Sequence, residues 1–309
     1  MKAEPQMAPE GVRCILVADD GYPITALRYE APGTPRAHLV VAGATGVPQA
    51  FYRRFAQFAS ARGYSTMTLD YRGIGLSAPA RLAGFRMNYM DWARLDLAAA
   101  VDAMAHAELP LFMVGHSYGG HAFGLLPNHA RVSAFYTFAT GAGWHGWMPP
   151  LERVKVWLMW NLIGPLTTRW KGYLPWRMLG MGEDLPLDVY RQWRAWCRHP
   201  RYFFDDPLAH PHLHGFDQVR TPILAANALD DLWAQPRSRD AFMAGYRNTR
   251  WQPLDIDPAH AGIGPIGHMG YFRARAQPLW EDMLRWFEQH RDPGRLPDTP
   301  AAQTATVAG

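Results

Sequence analysis

One pentapeptide restricts this chain to few architectures. Gly115-His116-Ser117-Tyr118-Gly119 follows the apolar run Leu111-Phe112-Met113-Val114 and precedes a helical pattern of small residues. A serine at the centre of G-x-S-x-G, between a buried strand and a helix, is forced onto a tight turn with its hydroxyl exposed. The glycines are needed because the backbone is crowded there and side chains would clash. A bare G-x-S-x-G is a weak signal, and an ordinary Gly-Ser turn is the competing reading. The strand-to-helix context makes the signal specific.

The rest of the chain supplies strands and helices in alternation. Arg13 to Ala18 and Ile24 to Tyr29 read as an opening hairpin around Asp19-Asp20-Gly21. His38 to Ala42 is a third strand, ending in Gly43-Ala44-Thr45-Gly46. A helix over Gln49 to Arg62 places Phe51, Phe55, Phe58 and Ala59 on one face. The strand Ser65 to Leu69 runs into a Gly-rich loop, Asp70 to Ser77. Asp91 to Ala107 reads as a helix with Asp91 as its N-cap. Further strands are expected at Leu111 to Val114, Val132 to Phe138, Ile223 to Ala226 and Arg250 to Ile256. Helical stretches lie around Arg239 to Tyr246 and over Gln277 to His290, the last with Leu279, Met283, Trp286 and Phe287 inward. Such alternation implies a mostly parallel sheet with helices on both faces. Residues 139–216 break the rhythm. Eight of the thirteen tryptophans fall there, in a helical pattern broken by prolines. That segment reads as a helical cap inserted into a core of residues 11–138 and 217–290. The Pro-, Ala- and Thr-rich tail, 291–309, is expected to be disordered.

Composition excludes several classes. With 309 residues and 48% hydrophobic content, a full core can be built. Cys14 and Cys197 have no metal or redox spacing and suit free thiols in a reducing, cytoplasmic setting. The first ten residues carry no apolar stretch of a secretory signal, and no run of 18 apolar residues suggests a spanning helix. The net charge of +4 is scattered, which argues against nucleic acid as a partner.

A serine hydroxyl needs a base within reach and a carboxylate to orient that base. The strand Thr221 to Ala226 is followed by Asn227-Ala228-Leu229-Asp230-Asp231, and the end of a parallel strand is where side chains converge on a site. His268 lies beyond the last strand, before the final helix. On the residues alone the acid is Asp231 or Asp230, and His260 is a rival base.

The order Ser, Asp, His resembles that of the α/β-hydrolase superfamily, over roughly Arg13 to His290. Within it the chain is similar to a group of bacterial hydrolases of undefined substrate. The shared segments are Gly73-Ile74-Gly75-Leu76-Ser77, Asp230-Asp231-Leu232-Trp233 and Gly267-His268-Met269-Gly270-Tyr271-Phe272. The resemblance implies Ser117 as nucleophile, His268 as base and Asp231 as acid, because the superfamily acid stands three residues after a small residue, here Ala228. Asp230 is then a solvated turn residue. It also implies two backbone donors for the oxyanion: the N–H of Tyr118 and that of Ala44, with Thr45 next. The expected activity is hydrolysis of an ester or thioester with an apolar acyl group, without metal or organic cofactor. An acyltransferase with the same triad, or a non-catalytic ligand-binding protein, are the alternatives.

Other candidates have plainer readings. His116 is expected to pack beneath the serine turn. His210, His212 and His214 alternate as metal ligands can, yet no Cys or carboxylate cluster accompanies them. Gly73-Ile74-Gly75 lacks the third glycine of a dinucleotide fingerprint. The cap tryptophans either form the cap's own core or line an apolar pocket above Ser117. Val156 to Trp160 with Leu162 and Ile163 could also touch a membrane surface, a reading ranked below the other two.

Overall fold

The computed structural model describes residues 10–291, so the expected tail lies outside the described residues except for Arg291. Eight strands form one sheet: β1 (Val12–Val17), β2 (Pro23–Tyr29), β3 (Ala37–Ala42), β4 (Tyr64–Leu69), β5 (Leu111–His116), β6 (Ala134–Phe138), β7 (Ile223–Ala228) and β8 (Trp251–Ile256). Their order is β1-β2-β4-β3-β5-β6-β7-β8. β2 is antiparallel to both neighbours, and every pairing from β4 to β8 is parallel. Every residue of β3, β4, β5 and β6 is buried, as strands covered on both faces must be. Pro253 is tolerated in β8 because that strand is an edge.

Nine α-helices cover the sheet: α1 (Arg53–Ser60), α2 (Ala98–Met104), α3 (Tyr118–Ala122), α4 (Pro150–Leu158), α5 (Gly164–Lys171), α6 (Leu187–Trp196), α7 (His214–Gln218), α8 (Pro236–Met243) and α9 (Gln277–Glu288), among the described residues. One face packs on α1 and α9 through Phe55, Phe58, Met283 and Phe287. Trp280 meets Phe55 edge-on at 5.6 Å, and Phe112 stacks on Phe287 at 4.6 Å. The other face takes α2, α3, α8 and the segment between β6 and β7, which carries α4 to α7.

One helix start departs from expectation. Asp91 is not the N-cap, since its backbone is already helical. Asn88 takes that place: its Oδ1 accepts the Met90 N–H at 2.8 Å, while Asp91 reaches back to the Asn88 N–H at 2.7 Å. This is a capping box, in which two orphan donors are satisfied reciprocally. A π-helical turn, Trp92–Leu97, then leads into α2, which ends at Met104 rather than Ala107.

The parallel register aligns the carboxyl ends of the strands. Ala42 pairs with Gly115, His116 with Phe138, and Ala228 with Ile256. The loops that follow β3, β5, β7 and β8 therefore open on one edge of the sheet, where ligand sites of such sheets form.

Candidate active site

Ser117 follows β5 directly and holds φ 52° and ψ −108°, an uncommon backbone for a non-glycine residue. The surroundings impose it. The Ser117 N–H donates to the Phe138 carbonyl at 2.9 Å, and the Thr140 hydroxyl donates to the Ser117 carbonyl at 3.1 Å. A Cβ on Gly119 would sit 2.0 Å from the Ala42 carbonyl oxygen, and one on Gly115 only 2.7 Å from the Gly119 backbone. Both glycines are thus demanded by close approach of chain to chain.

Ser117, His268 and Asp231 meet. Ser117 Oγ lies 3.0 Å from His268 Nε2, and His268 Nδ1 lies 3.0 and 3.2 Å from the two Asp231 oxygens. Asp231 is fully buried. Burial pushes its carboxyl pKa up, but His268 and the N–H groups of Ala234 and Trp233 together outweigh this and hold it below the usual range. Those amides donate to Asp231 Oδ1 at 3.0 and 2.9 Å. Asp230 is not a solvated turn residue. Its carboxylate accepts the N–H groups of Ile266 and Gly267 at 2.8 and 3.0 Å, tying the loop after β7 to the loop that carries His268. Two adjacent aspartates thus divide the work: Asp231 touches the imidazole, and Asp230 fastens its loop.

His116 lies beneath the turn as expected and also makes two directed contacts. Its Nε2–H donates to the His268 carbonyl at 2.9 Å, which leaves Nδ1 to accept from the Tyr52 hydroxyl at 2.9 Å. The Tyr52 oxygen in turn accepts the Ala44 N–H at 2.7 Å. Only this polarity satisfies every group, because a carbonyl cannot donate and an amide N–H cannot accept. Burial keeps His116 neutral, pushing its pKa down to about 3. This line of hydrogen bonds bears on one expectation, the Ala44 amide as an oxyanion donor. The Ala44 N–H is engaged by Tyr52 and reaches an oxyanion only by releasing it. Thr45 has no such backbone engagement among the described hydrogen bonds. Tyr118 N–H stands at the first position of α3, where no intrahelical acceptor exists.

Sequence reasoning missed Tyr52, which shares α1's approach with the expected Phe51 and carries no motif. It also missed Tyr271, whose hydroxyl accepts the Ala228 N–H at 2.7 Å and lies 3.4 Å from Asp231. Tyr271 and Trp233 sat inside the quoted segments, which was the available signal. Trp233 lies beside His268, with ring centroids 5.5 Å apart, and its indole N–H donates to Glu152 of α4 at 2.8 Å.

Above Ser117 and His268 is a cavity of about 340 Å³. Val156, Met159, Trp160, Trp176, Leu179 and Met181 of the cap give it apolar walls. Among the described residues its only lining carboxylate is Glu152, which is held by Trp233 and by Lys155 at 3.2 Å. His260 is exposed and paired with Asp257 at 2.7 Å. His210 donates to or accepts from no other histidine and meets the Phe204 carbonyl at 3.0 Å. Among the described residues no group of three or more His, Cys, Asp or Glu side chains could hold a metal ion, and no helix is long and apolar enough to cross a membrane.

A family model described as Serine aminopeptidase, S33, matches residues 33–178. That span includes β3 and the serine turn but neither Asp231 nor His268. No curated protein matches the sequence. Solved structures similar to the whole chain include a soluble variant of monoglyceride lipase from Saccharomyces cerevisiae in complex with a substrate analog. It is 15% identical, with 94% of this chain and 98% of that one covered and a TM-score of 0.66. DcsB in complex with its substrate analogue is 16% identical, covering 91% and 99%, at a TM-score of 0.62. An esterase from Exiguobacterium antarcticum is 14% identical, covering 90% and 100%, at 0.57. At such identities the likeness establishes the fold.

Proposed function

We propose that this chain, which has the α/β-hydrolase fold, is a serine hydrolase acting on an ester or thioester of an apolar acid. The observation that carries the reading is the unbroken hydrogen-bonded line from Ser117 through His268 to a buried Asp231, with Ser117 and His268 opening into an apolar cavity.

Ser117 Oγ attacks the carbonyl carbon while His268 Nε2 takes its proton. Asp231 keeps the second imidazole proton on Nδ1 and stabilises the imidazolium. The negative oxygen of the tetrahedral intermediate is met by the Tyr118 N–H and by a second amide from the Ala44–Thr45 loop, with Thr45 preferred because Tyr52 holds the Ala44 amide. The imidazolium then protonates the departing alcohol or thiol, leaving an acyl-Ser117 ester. Water enters, His268 removes its proton, and a second collapse releases the acid and restores Ser117.

The cavity walls favour an apolar acyl group over a peptide. An aminopeptidase needs a free carboxylate for the substrate's amino group, and Glu152 is already engaged by Lys155 and Trp233. The monoglyceride lipase and esterase among the similar structures support the same class. The test is a series of p-nitrophenyl esters from acetyl to palmitoyl with wild type and Ser117→Ala. The expected result is turnover that varies with chain length and vanishes in the variant. Equal turnover by Ser117→Ala would overturn the reading.

A further inference from the structure

Residues 150–171 form one continuous helical rod: α4, a π-helical turn at Met159–Ile163, and α5. Pro165 lacks an N–H and cannot continue an α-helical ladder back to Asn161, so the turn before it widens. The rod has two apolar faces. Val156, Trp160, Gly164 and Thr168 recur every four residues and are buried. Offset from them by two residues, on the opposite side, Val154, Leu158, Leu162, Leu166 and Trp170 recur at the same spacing and are exposed, with Leu151 a turn earlier. Leu151, Leu166 and Trp170 are 70%, 62% and 67% exposed, and Trp157 adds 51%. A contiguous apolar stripe this long is not ordinary surface and marks an interaction face.

We infer that this outer face docks on an anionic phospholipid bilayer. Charge selects that occupant. From residue 150 to 184 the chain has five basic residues (Arg153, Lys155, Arg169, Lys171 and Arg177) and three acidic ones (Glu152, Glu183 and Asp184). Glu152 pairs with Lys155 at 3.2 Å and Glu183 with Arg177, which leaves Arg153, Arg169 and Lys171 without an acidic partner among the described residues. Lys171 Nζ sits 3.9 Å from the centre of the Trp170 ring, placing a cation beside an exposed indole as interfacial helices do. Leucines flanked by Arg and Lys, with two tryptophans, bind by buried apolar area and by attraction to anionic headgroups. The stripe also adjoins the cavity, because Met159 and Ile163 of the same rod line it. An acyl chain drawn from the bilayer would enter there. That last step rests on the proposed hydrolase function, whereas docking rests on the outer face alone.

The test is flotation of the full chain with vesicles of phosphatidylglycerol and phosphatidylcholine in equal parts, and with phosphatidylcholine alone. The variant is L162E/L166E, two exposed residues outside the cavity. Arg153→Glu/Arg169→Glu probes charge, and circular dichroism checks folding. Wild type is expected to float with the mixed vesicles, to bind pure phosphatidylcholine at least tenfold more weakly, and to lose binding at least tenfold in either variant. Turnover of a soluble acetyl ester stays unchanged in both, and vesicle binding persists in Ser117→Ala, which separates docking from catalysis. Absence of flotation, or equal flotation by a folded L162E/L166E protein, overturns the inference. So does a wild-type dimer, abolished by L162E/L166E in sedimentation equilibrium without lipid, since a second copy would then cover the stripe.

Discussion

The sheet edge and the cap use aromatic and apolar residues in opposite ways. Around the proposed triad, Tyr52, Tyr118 and Tyr271 are fully buried, and each hydroxyl is hydrogen-bonded: Tyr52 to His116, Tyr118 to the Tyr89 carbonyl at 2.8 Å, Tyr271 to the Ala228 amide. In the cap, Trp196 stacks on Tyr89 and anchors the segment, Trp160 and Trp176 line the cavity, and Trp157 and Trp170 face outward. The first region fixes atoms to within a hydrogen bond. The second presents surfaces. Chemistry should therefore fail abruptly when the first is altered, while selectivity should shift by degrees when the second is.

The sharpest break is Ser117→Ala, which should lower kcat by on the order of 10⁴-fold or more, with the fold intact. Next, Asp231→Asn should cost about 10⁴-fold by allowing the wrong imidazole tautomer. Asp230→Asn keeps an acceptor for Ile266 and Gly267 and should cost about tenfold or less, by comparison with an oxyanion-type donor loss of about 10²-fold or more. Equal losses at the two positions, read by ester kinetics, would contradict the division of roles between them. In the cap, Met159→Trp should lower kcat/KM for long acyl chains by about 10- to 100-fold and leave the acetyl ester unchanged, since pocket contacts are worth about 1–3 kcal/mol. A uniform loss across the series would place Met159 outside acyl recognition.

Smaller effects separate the oxyanion candidates. Tyr52→Phe removes the partner of both the Ala44 N–H and His116 Nδ1 and should cost about 2 kcal/mol in urea unfolding. If Thr45 is the second donor, kcat changes less than about tenfold. A change of about 10²-fold or more would return the role to Ala44. His116 supplies a pH signature. Its folded pKa, about 3, lies below the ordinary 6.5. Its contribution to stability is whole above pH 6.5 and is lost as pH falls from there toward 3, because only the unfolded chain takes up the proton. Urea titrations should show this decline, and His116→Asn should flatten it.

Much of the core was legible because its signals are local. The short apolar runs of the strands and the glycines around Ser117 each act through backbone geometry within a few residues. Ser117 could therefore be singled out from the residues, whereas the choice of Asp231 over Asp230 and of His268 over His260 rested on the resemblance to the α/β-hydrolase superfamily. What was not legible depends on approach between distant segments. That Tyr52 occupies the Ala44 amide requires β3, α1 and β5 to be packed together. Asp230 looked like a turn residue because its partners, Ile266 and Gly267, are 36 and 37 residues away. Helical spacing identified the cap rod as apolar but could not divide Trp160, turned inward, from Trp157, turned outward. Only packing against α6, where Trp160 meets Trp193 at 4.9 Å, settles which face is covered.

The central claim is that Ser117 is an activated nucleophile. Intact-mass spectrometry after treatment with a fluorophosphonate tests it most directly. The account predicts one adduct on wild type and none on folded Ser117→Ala. Equal labelling of the variant, or no adduct on folded wild type even with a small phosphorylating agent that can pass the cap, would contradict it.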